Sequence, residues 1–258
     1  MMTRLWQFPI LWKGCVGAWC PSQQRFPCST LTDYSAANNH GPLTNMTVDG
    51  DWVASQGKMA LDFDGSNDYV DVGNIDAVKA ANATMSLSAW VYRRSTAANN
   101  GIICYRNSAS GWLFGYDTSG LLRIYNGSSY TTSSVAIPLN TWTHASLIYA
   151  NSSVIMQING GTGVSQATTT AAGFGFISLG AWDAGTFGCP NALLDDMRIY
   201  NRTLSAAEIN VLRLRRGIAY EIAPRRSYRA AVAGGITGPL IGGKLSRQTS
   251  LIGGRLVQ

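Results

Sequence analysis

Glu208 and Glu221 are the only glutamates in this 258-residue chain. Glycoside cleavage needs two carboxylates on either side of one bond, one as acid and one as nucleophile or base. Glu208 lies three residues after Ser205 and completes a helix capping box, while Glu221 sits in a cationic stretch. Aspartates offer two further pairings. Asp62 and Asp64 share one strand face, whereas Asp195 and Asp196 are adjacent and are expected to point to opposite faces. The chain has no GxSxG elbow and no Ser-His-Asp set, and Gly234-Gly-Ile-Thr-Gly238 lacks the Lys-Ser/Thr of a phosphate loop. Cys15, Cys20, Cys28, Cys104 and Cys189 form no CxxC pair, and His40 and His144 lie far apart, which argues against zinc. The cysteines read as buried thiols, with one bridge among Cys15, Cys20 and Cys28 left open. Catalysis is not expected.

Binding chemistry is better represented. A saccharide site needs exposed aromatic rings beside polar loop residues. Two stretches have that make-up: Trp182 with Asp183, and Tyr105-Arg106 with Trp112. Trp90 and Trp142 lie in strand-like runs and read as core, and His144 reads as a hydrogen-bonded structural histidine. The charge is lopsided. Residues 1–212 hold 11 Lys+Arg and 13 Asp+Glu, a balance of −2, whereas residues 213–258 hold nine Lys+Arg and one Glu, a balance of +8. Such an arm seeks an acidic partner, and Arg225, Arg226, Arg229, Lys244, Arg247 and Arg255 are its candidate contacts. It also contains an 11-residue repeat, Pro239-Leu-Ile-Gly-Gly-Lys-Leu245 and Ser250-Leu-Ile-Gly-Gly-Arg-Leu256. Each unit is a β-capable apolar pair, a Gly-Gly break and a cation, able to add as a strand to a neighbour's edge.

The elements that must position these residues are mostly strands. Met85, Leu87, Ala89 and Val91 recur with period two on one side of a long run, and residues 143–149 and 154–158 read as a hairpin turned by Asn151-Ser-Ser153. About a dozen such runs predict an all-β, two-sheet antiparallel jelly-roll sandwich. One short C-terminal helix begins at Ser205 and is expected to end near Gly217, and an extended basic tail follows. No run of 18 apolar residues predicts a membrane span. Gln7, Pro9 and Lys13 interrupt the N-terminal apolar run, so no export signal is expected. The predicted organisation is an N-terminal extension (1–13), a sandwich (14–212) and a basic arm (213–258).

The order of several short pieces resembles the laminin-G-like, concanavalin A-like lectin/glucanase jelly rolls of phage and bacterial proteins. The pieces are Gly17-Ala-Trp19, Asp33-Tyr-Ser35, Asn39-His-Gly41, Leu61-Asp-Phe-Asp-Gly65, Asp68-Tyr-Val70, Leu87-Ser-Ala-Trp-Val91, Trp142-Thr-His144, Ile158-Asn-Gly160 and the run from Leu194 to Ile209. The resemblance covers about 200 residues. It implies the sandwich and a structural calcium ion, for which Asp33, Asn39 and Asp196 are the matching positions. Glucanases resembling this fold carry two glutamates two or four residues apart on one strand, which this chain lacks. Three functions follow as expectations. The first is a non-enzymatic virion structural or decoration protein, made in the host cytoplasm and homo-oligomeric in its assembly. Its basic arm anchors to a capsid or neighbouring subunit, ahead of nucleic acid. The second is a lectin-like module for a cell-surface glycan. The third is a glucanase-type hydrolase.

Overall fold

The computed structural model describes residues 7–96, 100–107, 110–173, 175–182 and 188–221, together with the backbone at 251–252 and 255–256; of the side chains at 106, 107 and 110 nothing is described. In chain order the sandwich strands are β1 (Cys15–Trp19), β2 (Thr30–Leu31), β3 (Gly41–Thr44), β4 (Trp52–Ser55), β5 (Lys58–Asp64), β6 (Tyr69–Asp71), β7 (Met85–Arg93), β8 (Asn100–Asn107), β9 (Ser110–Tyr116), β10 (Leu121–Tyr125), β11 (Tyr130–Ala136), β12 (Trp142–Ala150), β13 (Ser153–Ile158), β14 (Ser165–Ala167), β15 (Phe176–Leu179) and β16 (Asn191–Tyr200). They form two eight-stranded sheets. The first runs β14-β13-β12-β7-β16-β5-β4, with β1 also on β16, and the second runs β11-β10-β9-β8-β15-β6-β3-β2. Every strand pairing is antiparallel, as the alternation predicts.

Alternation decides which side chains enter the shared core. Met85, Leu87, Ala89 and Val91 of β7 enter it with Ala145, Leu147 and Tyr149 of β12 and Leu194, Met197 and Ile199 of β16. From the second sheet come Ile103, Tyr105, Trp112, Phe114, Leu122 and Ile124. The 143–149/154–158 hairpin forms as predicted, with Tyr149 opposite Val154. At Gly180 (φ 83) a Cβ would lie 2.0 Å from the Phe63 ring, so close sheet packing and a left-handed backbone both demand glycine there.

The outer face of the first sheet carries its own layer. The helix α1 (Ala206–Leu212) lies over it, with Leu204, Ile209 and Leu212 packed on Tyr200, Ala18, Cys15 and Leu11. The helix starts in the predicted capping box, where Ser205 and Glu208 exchange hydrogen bonds. It ends at Leu212, earlier than predicted, and Gly217 (φ 72) instead opens a 3-10 turn at Ile218–Tyr220. The sandwich unit therefore runs past the predicted boundaries. Leu11 is buried, so 1–13 is not simply an extension, and Arg216, Ile218, Ala219 and Tyr220 are buried, so 213–221 belongs to the body. Apolar residues at both chain ends close the face that β16 leaves uncovered.

No disulfide joins the five cysteines; Cys28 is exposed and the other four are buried. Among the described residues no helix is long and apolar enough to cross a membrane. Asp183, Arg225, Arg226, Arg229, Lys244 and Arg247 lie outside the described residues, as does the first repeat unit. Of the second unit, β17 (Leu251–Ile252) pairs antiparallel with β18 (Arg255–Leu256), which places Arg255 opposite Ile252 by backbone alone.

Two outcomes test this packing. Gly180→Ala is expected to lower unfolding free energy by about 3 kcal/mol, against about 1 kcal/mol for Gly73→Ala, whose Cβ meets nothing within 4 Å, in denaturant titration. The second concerns Glu208, which hydrogen bonds from Arg202, with help from Ser205, hold down at about 2 against burial. A lowered carboxyl stabilises fully above its unfolded value and progressively less as pH falls towards 2. Glu208→Gln is expected to cost about 1–2 kcal/mol at neutral pH and to flatten the stability loss below about pH 4.5.

Candidate functional site

The carboxylates that sequence spacing sets apart are brought together by a bulge. On one side of β16, β5 pairs with Asn191–Leu194 and β1 with Met197–Tyr200; on its other side the register against β7 breaks between Asp195 and Arg198. Asp196 takes a left-handed backbone (φ 47) at this break. The extra residue cancels the alternation, so the expectation of opposite faces is corrected: both side chains meet the covering segment. Asp195 Oδ1 accepts from Ser22 N (3.2 Å), Cys20 Sγ (3.4 Å) and Asp196 N (2.8 Å), and Oδ2 lies 3.6 Å from Arg216 Nη1. Asp196 accepts from Arg198 Nε (2.8 Å) and Gly217 N (3.0 Å). Burial first, and then the Asp196 charge, push the Asp195 carboxyl up to about 6. A raised carboxyl beside a second carboxylate is the electrostatic arrangement of an acid/base pair. Here it is sealed, with Asp195 0% and Asp196 2% exposed, so neither reaches a substrate. Asp62 is likewise engaged, by Arg94, and Asp64 caps its own turn through Ser66 N.

The residues matched to a calcium site do not fit one. Asp33 Oδ1 accepts from Ala18 N and Ser35 N, and Oδ2 from Ser35 Oγ and Asn39 N, all within 2.7–2.8 Å. Asn39 donates its amide to Val16 O. Calcium needs free oxygens, whereas these carboxylates face N–H and O–H donors and organise the 33–40 loop against β1. Among the described residues no group of three or more His, Cys, Asp or Glu is placed to hold a metal. His144 differs from its reading too. Its Nδ1 has no hydrogen-bond partner, the ring packs against Trp90, and burial pushes it down to about 4, so it is neutral at pH 7.

Of the predicted saccharide platforms, Trp112 and Tyr105 are corrected. Both rings point inward, meet edge to face at 5.8 Å and are 0% exposed. Trp112 alternates into the core where Leu113 turns out, which strand period alone allows but cannot assign. For Arg106 only the backbone is described, paired with Phe176. Trp182 lies outside the core but is 5% exposed; it packs on Cys104 and Leu113 on the outer face of the second sheet.

That face holds what the sequence reading missed. Tyr130, Tyr125, Leu113, Cys104 and Ser178 oppose one another in turn across β11, β10, β9, β8 and β15. Trp182 meets Tyr125 edge to face at 5.1 Å, and Tyr125 meets Tyr130 at 5.0 Å. The Arg123 guanidinium lies 4.0 Å from the Tyr130 ring. Tyr130 is 42% exposed and Tyr125 partly so. The β10–β11 turn, Asn126–Ser129, which separates Tyr125 from Tyr130, also lines a polar groove of about 400 Å³ at the edge between the two sheets, with Thr131 from the second sheet and Ser152 and Thr168 from the first. The signal was available in Leu121-Leu-Arg-Ile-Tyr125, where Arg123 and Tyr125 share the face opposite Leu122 and Ile124. A row of rings beside hydroxyls and amides can stack a sugar ring and hydrogen-bond its hydroxyls.

No curated protein matches the sequence. Solved structures match the fold at low identity. Domain 4 of AbnA, an extracellular arabinanase from Geobacillus stearothermophilus, in complex with arabinotriose, has 18% identity and a TM-score of 0.58 over 76% of this chain and 96% of that domain. The binding domain of Paraclostridial Mosquitocidal Protein 1 has 16% identity and a TM-score of 0.58, over 79% and 52% respectively. A Trypanosoma rangeli sialidase in complex with the inhibitor DANA has 15% identity and a TM-score of 0.57 over 78% of this chain, which spans 32% of the sialidase. Residues 64–210, more than half of the sequence, match one family throughout, and the chain belongs to the concanavalin A-like lectin/glucanases superfamily.

Proposed function

We propose that this chain is a non-catalytic carbohydrate-binding module. A saccharide lies across Tyr130 and Tyr125 and extends into the groove of Asn126, Ser129 and Thr168. The observation that carries this reading is a partly exposed aromatic pair, Tyr125 and Tyr130, flanking the β10–β11 turn that also lines a hydroxyl-rich groove at the edge between the two sheets. The superfamily and the saccharide-bound arabinanase domain support it. The sealed Asp195–Asp196 pair supports a role in binding rather than hydrolysis. The expected virion attachment rests on arm residues of which only the Arg255 backbone is described.

Titration of the full chain against a panel of neutral oligosaccharides, arabinotriose included, is expected to find a ligand with a dissociation constant of about 0.1–1 mM. Tyr130→Ala is expected to weaken it at least about tenfold, the scale of one lost aromatic stack, with the circular dichroism spectrum unchanged. Absence of binding across the panel, or full binding by Tyr130→Ala and Tyr125→Ala, rejects the assignment.

A further inference from the structure

The helix α1 packs down through Ile209 and Leu212, yet the sheet beneath it is polar across neighbouring strands. The register sets Arg198 of β16 opposite Ser88 of β7, Ser88 opposite Ser146 of β12, and Ser146 opposite Gln157 of β13. His144 lies two residues before Ser146, on the same face. Contacts on either side fix this patch under the cover. On one side Leu204 N donates to Ser86 Oγ (2.9 Å), and Ile148 packs with the helix. On the other Trp90 Nε1 donates to Leu212 O (3.3 Å), and the Trp90 ring meets His144.

Each of these five side chains keeps a buried polar atom that makes no hydrogen bond: Ser88 Oγ, Ser146 Oγ, His144 Nδ1, Gln157 Oε1 and Arg198 Nη2. Ser88, Ser146 and His144 are 1% exposed and Arg198 is 0% exposed. Buried polar atoms are costly to leave unpaired, and single exceptions are far commoner than a cluster on one face. Side chains opposite each other across an antiparallel pair have Cβ atoms about 5 Å apart. The two serine hydroxyls therefore face each other without bonding, at a separation that one small molecule bridges. The Arg198 charge is already met by Asp196, which accepts from Nε (2.8 Å), so Nη2 is left as a donor with no charge to balance.

The atoms decide what sits among them. Nη2 only donates, Gln157 Oε1 only accepts, and a hydroxyl does both. His144 is neutral at pH 7, since burial pushes it down to about 4. An anion here meets the Gln157 oxygen and the Asp196 charge, and a cation meets Arg198. The occupant is small, uncharged, and both donor and acceptor.

We propose that the seam between α1 and the first sheet is an internal hydration site, in which enclosed water bridges Arg198 Nη2, Ser88 Oγ and Ser146 Oγ and extends to Gln157 Oε1 and His144 Nδ1. A buried water makes about three hydrogen bonds, and this patch supplies the protein atoms for them. Such water exchanges only when the cover opens locally, so it is held far longer than surface water. The site is independent of the saccharide row, and either assignment can fail without the other.

The test is a crystal structure of the full chain at a resolution that shows solvent, beside magnetic relaxation dispersion of water protons in solution. Solvent density is expected within hydrogen-bond reach of at least two of Ser88 Oγ, Ser146 Oγ and Arg198 Nη2, with a dispersion from long-lived water. Replacing both hydroxyls, Ser88→Val with Ser146→Val, is expected to remove that density and part of the dispersion. The proposal is overturned by a dry patch in the parent structure, by the hydroxyls bonding directly to each other or to backbone carbonyls, or by an unchanged dispersion in the double variant with its near-ultraviolet circular dichroism intact. Where the double variant does not fold, the parent structure decides alone.

Discussion

Two adjacent carboxylates buried at a bulge govern how this chain closes on itself. Asp195 and Asp196 sit where β5 ends its pairing with β16 and β1 begins. Buried and charged, they require donors, and both chain ends supply them: Cys20 and Ser22 from one, Arg216 and Gly217 from the other. Arg198, itself 0% exposed, neutralises Asp196 and is framed by Trp12 at 4.9 Å and Tyr220 at 4.6 Å. Losing one partner of such a pair strands a charge, at a cost of about 3–5 kcal/mol. The bulge thus specifies where the two ends of the domain lie, and α1 docks on the platform they build.

That arrangement gives the two outer faces different chemistry. The outer face of the first sheet is covered by apolar residues from the ends, Leu11, Leu204, Ile209 and Leu212. On the second sheet Arg123, Tyr125 and Tyr130 line up beside hydroxyl-bearing turns. The inner faces form the shared core, so the outer face left open, that of the second sheet, is the one free to carry binding chemistry.

Legibility followed the period of the side chains. Met85, Leu87, Ala89 and Val91 were readable as one core face because they recur with period two and Ser86 and Ser88 mark the opposite face. Ser205 and Glu208 were readable because a capping box is local. Trp112 was not, since an aromatic run with no polar partner looks alike on either face, and it turned inward. Tyr125 and Tyr130 passed unnoticed because the rings meet only once β10 and β11 pair.

What the residues determined by themselves were the strands, the hairpin turns, the helix start and the scarcity of catalytic glutamates, all features encoded within a few neighbouring positions. Tertiary structure alone decided the rest. It turned Asp195 and Asp196 to one side through a single inserted residue, filled the oxygens of Asp33 with local donors, and set aromatic side chains from separate strands into one row. Each depends on register and long-range contact, which a period of two along one strand does not carry.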